Sequence, residues 1–173
     1  QKALAFAVTH PIPHGNVSTE IHRSGGPFTL VPLPDQNGLP ASAVVWMERG
    51  PEAERLAALP VPAFEAAMND RSAHALGPLT LASRRTLWPI ISQIAQRFDA
   101  PRTALVAEAA HVVPPIGAQG LNMSLADIAT LLELARATPE RIGDRAMLTA
   151  YDRRRRPDAM MRVAGIDALN RAS

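Results

Sequence analysis

The stretch EAAHVVPPIGAQGLNMSLAD, Glu108 to Asp127, decides how the rest of the chain is read. It sets a carboxylate and a histidine among small residues, then a double proline, then two glycines around Ala118-Gln119, then an amphipathic helix. Proline fixes φ and leaves His111, Pro114 and Pro115 a stiff connection. Glycine at 117 and 120 lets main chain approach a planar ring with no Cβ between. From the residues alone, Glu108 closes a short β-like run, Ala104-Leu105-Val106-Ala107, where a buried carboxylate needs hydrogen-bond donors. A ligand hydroxyl is one such donor. The helix is expected to begin near Asn122 or Ser124, with Ser124 and Asp127 at the spacing of a capping box. Its free N–H groups and positive potential suit an electron-rich carbonyl or an anion. The same residues also suit a structural strand–turn–helix corner, with Glu108 a surface acid and His111 a packed or capping histidine.

Upstream, residues 1–50 read as strands: Ala3–Val8, an alternating Val17–His22, Phe28–Val31 and Ala43–Met47, separated by proline- and glycine-rich turns that include Pro32, Pro34 and Asp35–Gly38. That spacing suggests an antiparallel meander. The period then changes, and Leu56, Leu59, Phe64, Ala67 and Met68 fit short helices broken at Pro60 and Pro62. Leu79–Leu81 and Thr86–Trp88 return to strand character. Downstream, Leu125, Ile128, Leu131, Leu132 and Ala135 form a helical stripe over Leu121–Ala137. A last helix from about Asp144 to Leu169 has Met147, Leu148, Tyr151, Met160, Met161, Val163 and Ile166 as its apolar members, with Pro157 expected to kink or interrupt it.

At 173 residues and 47% hydrophobic, the chain is long enough for one core, or one domain with an appendage. It has no cysteine, which removes disulfides and thiolate metal ligands and fits a reducing cytoplasm. The formal charge is only +2, so the arginine run Arg153–Arg156 does not announce a nucleic-acid partner and reads as a solvated or domain-contacting helix face. His14, His22 and His74 are not at metal spacing, and no metal is expected. Trp46 and Trp88 suit core packing or a pocket wall equally. No segment has the roughly 18 apolar residues that span a bilayer, and the start QKALAFAVTHPIPHG lacks a signal-peptide h-region. Beginning within an alternating pattern, it reads as a piece of a longer protein.

The 105–127 block resembles the second flavin-binding motif of FAD-dependent aromatic hydroxylases, the para-hydroxybenzoate hydroxylase superfamily, and is most similar to the ubiquinone-biosynthesis hydroxylases. Their pattern runs Gly-Asp-Ala-Ala-His, a proline, Gln-Gly-Leu-Asn and a helix containing Asp. This chain has Ala107-Glu108-Ala109-Ala110-His111, Pro114-Pro115, Gln119-Gly120-Leu121-Asn122 and Asp127. The likeness extends to Tyr151–Pro157, His14-Gly15, Gly26–Leu33 and Val44-Val45-Trp46. It departs at Ala107-Glu108, where the family has Gly-Asp, and it lacks the GxGxxG phosphate loop of an N-terminal Rossmann unit.

The resemblance implies an α+β fold, with a substrate-binding antiparallel sheet region over 1–102 and the C-terminal part of the FAD domain over 103–173, the Rossmann unit being absent. It implies that Glu108 binds a ribityl hydroxyl of FAD and that Pro115, Gly117, Gln119, Gly120, Leu121 and Asn122 lie along the isoalloxazine. The implied activity is hydroxylation of an aromatic ring, a ubiquinone precursor, through a C4a-hydroperoxyflavin with NAD(P)H and O2. No catalytic residue is assigned. This piece alone is expected to be inactive and to hold FAD weakly or not at all. The expected partner is an aromatic small molecule, prenylated in the ubiquinone case, with peripheral membrane association and self-association of the exposed surface. The alternative is a flavin-free interaction or assembly module derived from the same fold.

Overall fold

The alternating pattern at the start of the chain forms β1, Lys2–Thr9, which buries Leu4, Phe6 and Val8. The computed structural model describes residues 1–23, 25–115 and 119–172. Next come β2 (Thr19–Arg23), β3 (Gly26–Gln36) and β4 (Leu39–Glu48). These three make the expected antiparallel meander, and β1 lies along β4 from Lys2↔Glu48 to Thr9↔Ala41. The short strands β5 (Thr80–Leu81) and β6 (Thr86–Pro89) pair with the other edge of β1, completing a six-stranded sheet. Asn37 and Gly38 both take positive φ, 51° and 76°, between the paired residues Gln36 and Leu39. Asn-Gly favours this two-residue hairpin because its twist matches that of the strands.

Two strands are notably longer than the sequence suggests, and β4 begins at Leu39 rather than Ala43. β3 runs on through Pro32 and Pro34, which the sequence assigns to a turn. The pairing with β2 ends at Leu30, so one side of β3 is open beyond it and a proline can turn its missing N–H to that edge. A register shift between Leu33 and Gln36 takes up the remaining irregularity.

Helices α1 (Gly50–Ala58) and α2 (Val61–Arg71) cover one face of this sheet. Pro60 separates them, and Pro62 sits in the first turn of α2, where no intrahelical N–H bond is lost. Ala53, Leu56, Phe64 and Met68 pack on Leu4, Phe6, Phe28, Leu30, Val44 and Trp46. Trp46 is therefore a core residue, whereas Trp88 is exposed.

The chain divides into two compact units, Gln1–Ile90 and Ile91–Ala172. The division precedes the 102/103 boundary expected from sequence, because Phe98 lies in the core of the second unit. Here β7 (Gln93–Ile94) pairs with β10 (His111–Val112), and β8 (Asp99–Ala100) with β9 (Thr103–Ala104), all antiparallel. Two long helices follow, α3 (Gln119–Ala137) and α4 (Arg145–Ala172). The latter is continuous through Pro157, so the expected interruption does not occur. Met123, Tyr151 and Ala159 join these helices to Phe98 and Ala110. The fold is thus the expected mixture of helices and antiparallel sheet, α+β. No helix among the described residues is long and apolar enough to cross a membrane.

Of the expected stripe, the face that α3 packs into the core holds only Leu131. Met123 and Asp127 are buried, with Leu131 and Leu134 packed beside them. Leu121, Leu125, Ile128 and Leu132 are instead exposed, Leu121 by 70%. Met160 and Met161 of α4 are likewise exposed. Apolar spacing identifies the helix but does not say which of its faces is covered.

Candidate functional site

Ala107 has φ +55°, a conformation in which Cβ crowds the following carbonyl oxygen. The β-like run therefore ends at Val106, and Ala107–Ala109 forms a single 3-10 turn. This corrects the reading of Glu108 as the end of a buried strand: the reversal at Ala107 places Glu108 on an exposed turn. Among the described residues no group pairs with its carboxylate.

Two clefts flank that carboxylate. One, of about 400 Å³, is lined by Gln93–Ala95 and Glu108–Val112. The other, of about 490 Å³, is lined by Ala107, Glu108 and His111–Val113 together with Gly120, Leu121 and Ser124 from the start of α3. Glu108, Gly120 and Leu121 thus share one cleft. Among the described residues, a Cβ on Gly120 would meet only Val113 Cγ2, at 3.9 Å, so their packing does not demand glycine there. Pro115 is exposed and does not line the cleft, and Asn122 is also exposed. Gln119 accepts from Arg162 of α4, 3.3 Å from its Oε1. Gly117 lies outside the described residues.

The turn is held from behind by Asp127, which is 0% exposed. Its Oδ2 accepts from the Ala107 N–H at 3.0 Å and lies 2.8 Å from His111 Nε2. Its Oδ1 accepts from Arg155 Nε at 2.8 Å. The capping box expected from Ser124 and Asp127 is absent, because α3 already includes Gln119 and both residues sit inside it. Ser124 Oγ donates back to the Gly120 carbonyl at 2.8 Å. His111 is the packed histidine of the simpler reading, 6.0 Å from the Phe98 ring. Tyr151 donates to the Leu105 carbonyl at 2.8 Å, and burial raises the pKa of its phenol.

Arg155 is the residue that sequence reasoning missed. The run Arg153–Arg156 reads as one solvated or domain-contacting face, yet Arg155 is buried within its own unit while Arg153 and Arg154 are exposed. Burial disfavours its charge, but bonds to Asp127 and Asp158 outweigh that and raise its pKa. Asp158 is also partly desolvated, but Arg155 and Arg162 hold its carboxyl below the usual range. The available signal was Asp127 itself, an acid on the face of α3 that Met123 and Leu131 also occupy. No group of three or more His, Asp or Glu side chains among the described residues could hold a metal.

Residues 3–165 match the family described as FAD binding domain. The ubiquinone hydroxylase UbiL of Rhodospirillum rubrum is 34% identical over 175 residues, covering 99% of this chain and 40% of that protein. The mitochondrial ubiquinone biosynthesis monooxygenase COQ6 of Mus musculus is 28% identical, covering 90% of this chain and 40% of its own. The structure of Pseudomonas aeruginosa PqsL in complex with 2-aminobenzoylacetate superposes with a TM-score of 0.78 at 22% identity, covering 99% of this chain and 47% of that one. This last likeness is one of fold. The chain spans about two fifths of the length of the relatives it matches.

Proposed function

Because the chain belongs to the FAD binding domain family, we propose that it forms the substrate sheet and the flavin-ring side of a flavin-dependent monooxygenase acting on an aromatic ring. A ubiquinone precursor is the substrate class that the relatives' names suggest. The observation that carries the reading is Glu108, an acid without a protein partner among the described residues, presented into a cleft that the start of α3 completes.

The residues fit the group. Glu108 would accept from a hydroxyl of the cofactor's sugar-alcohol chain. Gly120 and Leu121 belong to the first turn of α3, where a helix leaves amide N–H groups without intrahelical acceptors. Such donors favour an electron-rich ring edge and stabilise it further as it gains negative charge. When bound, the flavin would supply oxygen transfer from O2, with NAD(P)H as the source of electrons. Gln119 and Asn122 would contribute backbone rather than side-chain contacts. Relatives named for ubiquinone synthesis suggest a prenylated ring, and peripheral membrane association from the cytoplasmic side belongs to the same reading.

The test is FAD affinity in a polypeptide that contains this chain and the rest of the family's length. Flavin fluorescence should titrate with protein, and Glu108→Ala should weaken binding about tenfold or more without lowering the unfolding midpoint. Binding that is unchanged in Glu108→Ala would remove the carboxylate from the site. A polypeptide that takes up no FAD would favour the flavin-free interaction module, for which the exposed stripe on α3 is the supporting observation.

A further inference from the structure

We propose that Asp127 is a positioning residue: it holds Ala107 in its left-handed conformation and so aims Glu108 into the cleft beside α3. What Glu108 meets there rests on the flavin reading above. The hold on Ala107 rests on the chain's own geometry.

The two donors to Asp127 Oδ2 bracket Glu108. The Ala107 N–H, at 3.0 Å, immediately precedes it, and His111 Nε2, at 2.8 Å, follows one turn later. One carboxylate oxygen therefore pins both ends of the turn. The other oxygen is occupied by Arg155, which is itself fastened by Asp158 at 2.6 Å and the Met123 carbonyl at 3.3 Å. Alanine resists positive φ because of its Cβ, so a turn that starts on Ala107 needs a restraint from outside. Glycine would enter that region freely. Here the same conformation is reached with alanine, whose side chain opposes the turn while the buried carboxylate of Asp127 imposes it. Asparagine could not replace Asp127 without loss. Its single oxygen cannot satisfy three donors, and its amide N–H groups would face at least one of them.

A purely structural Asp127 would serve Arg155 and the core and be indifferent to residue 107. The two roles separate in a double-variant cycle of Asp127→Asn and Ala107→Gly. FAD dissociation constants are read by flavin fluorescence in a polypeptide that includes the rest of the family's length. Hydrogen exchange of the residue-107 amide is read in parallel, both well below each variant's melting point. Asp127→Asn should weaken FAD binding about tenfold or more and speed exchange at residue 107 by a similar factor. In the Ala107→Gly background the loss of affinity should shrink to about threefold or less. Equal losses in both backgrounds, or an Asp127→Asn variant that binds FAD like the parent, would overturn the proposal.

Should Asp127→Asn fail to fold, Asp127→Glu takes its place. It keeps a charge for Arg155 but displaces the acceptor from the Ala107 N–H, so the same rescue by Ala107→Gly is expected. If the unsubstituted polypeptide binds no FAD, the flavin reading falls. The exchange cycle then decides the hold alone: coupling between positions 107 and 127 upholds it, and additivity sinks it.

Discussion

Arg155 Nε donates to Asp127 Oδ1 at 2.8 Å across a separation of 28 residues, and both side chains are shielded from solvent. The bond ties α4 to α3 and, through the other oxygen of Asp127, to the turn that presents Glu108. An acid and a base that are costly to bury singly are compatible with the core only as a pair.

Arg155→Leu should therefore destabilise the second unit by about 3–5 kcal/mol, because it strands a buried carboxylate. Arg154→Ala should change stability by less than about 0.5 kcal/mol, since Arg154 makes an exposed pair with Glu133. Urea denaturation of the two variants measures the contrast. Equal effects would mean that the arginine run is uniformly solvated after all.

Ala107→Gly should raise stability by about 0.5–1 kcal/mol. The gain from relieving a left-handed alanine exceeds the extra entropy that glycine loses on folding. A lower melting temperature in the glycine variant would show that the +55° conformation is not strained.

The exposed stripe of α3 should govern association rather than folding. Leu121→Glu with Leu125→Lys should leave the unfolding free energy within about 0.5 kcal/mol and reduce self-association seen by light scattering at high concentration. Met123→Ala, on the opposite face, should cost about 2–5 kcal/mol. A large loss of stability in the double surface variant would place the stripe in the core.

His10 should make the first unit lose stability in mild acid. Its ring is buried, with Nδ1 2.9 Å from the Ile12 carbonyl and Nε2 2.9 Å from Ser42 Oγ. Burial lowers its pKa below 6.5; the Ile12 carbonyl opposes this, nearby His14 adds to it, and Asp35 opposes it. The unfolded chain therefore takes up the proton first. This contribution to stability is complete above about pH 6.5 and falls as pH drops toward the folded-state value. Thermal melts between about pH 7 and 5 should show the slope, and His10→Gln should flatten it. A slope unchanged by the substitution would assign it to another group.

Much of this architecture was legible because it is local. Leu4, Phe6 and Val8 alternate, Asn37-Gly38 carries its own hairpin geometry, and Pro60 ends a helix wherever it occurs. The motif from Glu108 to Asn122 stands out in the sequence for the same reason, since proline and glycine act on their own backbone. Glu108 stands out in the sequence, but its setting was misread: nothing in the residue type says that Ala107 will turn left-handed. That conformation is imposed by an acceptor 20 positions further along the chain.

By itself, the sequence determined the elements of the first unit, the open-edge prolines aside, the two long helices and the block that carries the family likeness; the short strands β7, β8 and β10 were not legible in it. Only the tertiary structure decided which of four consecutive arginines turns inward, which face of α3 is covered and where Glu108 points. Helical spacing gives Leu125 and Ile128 a shared face but cannot say whether anything lies against it. The covered face holds Asp127 instead, because a carboxylate removed from water must face its donors.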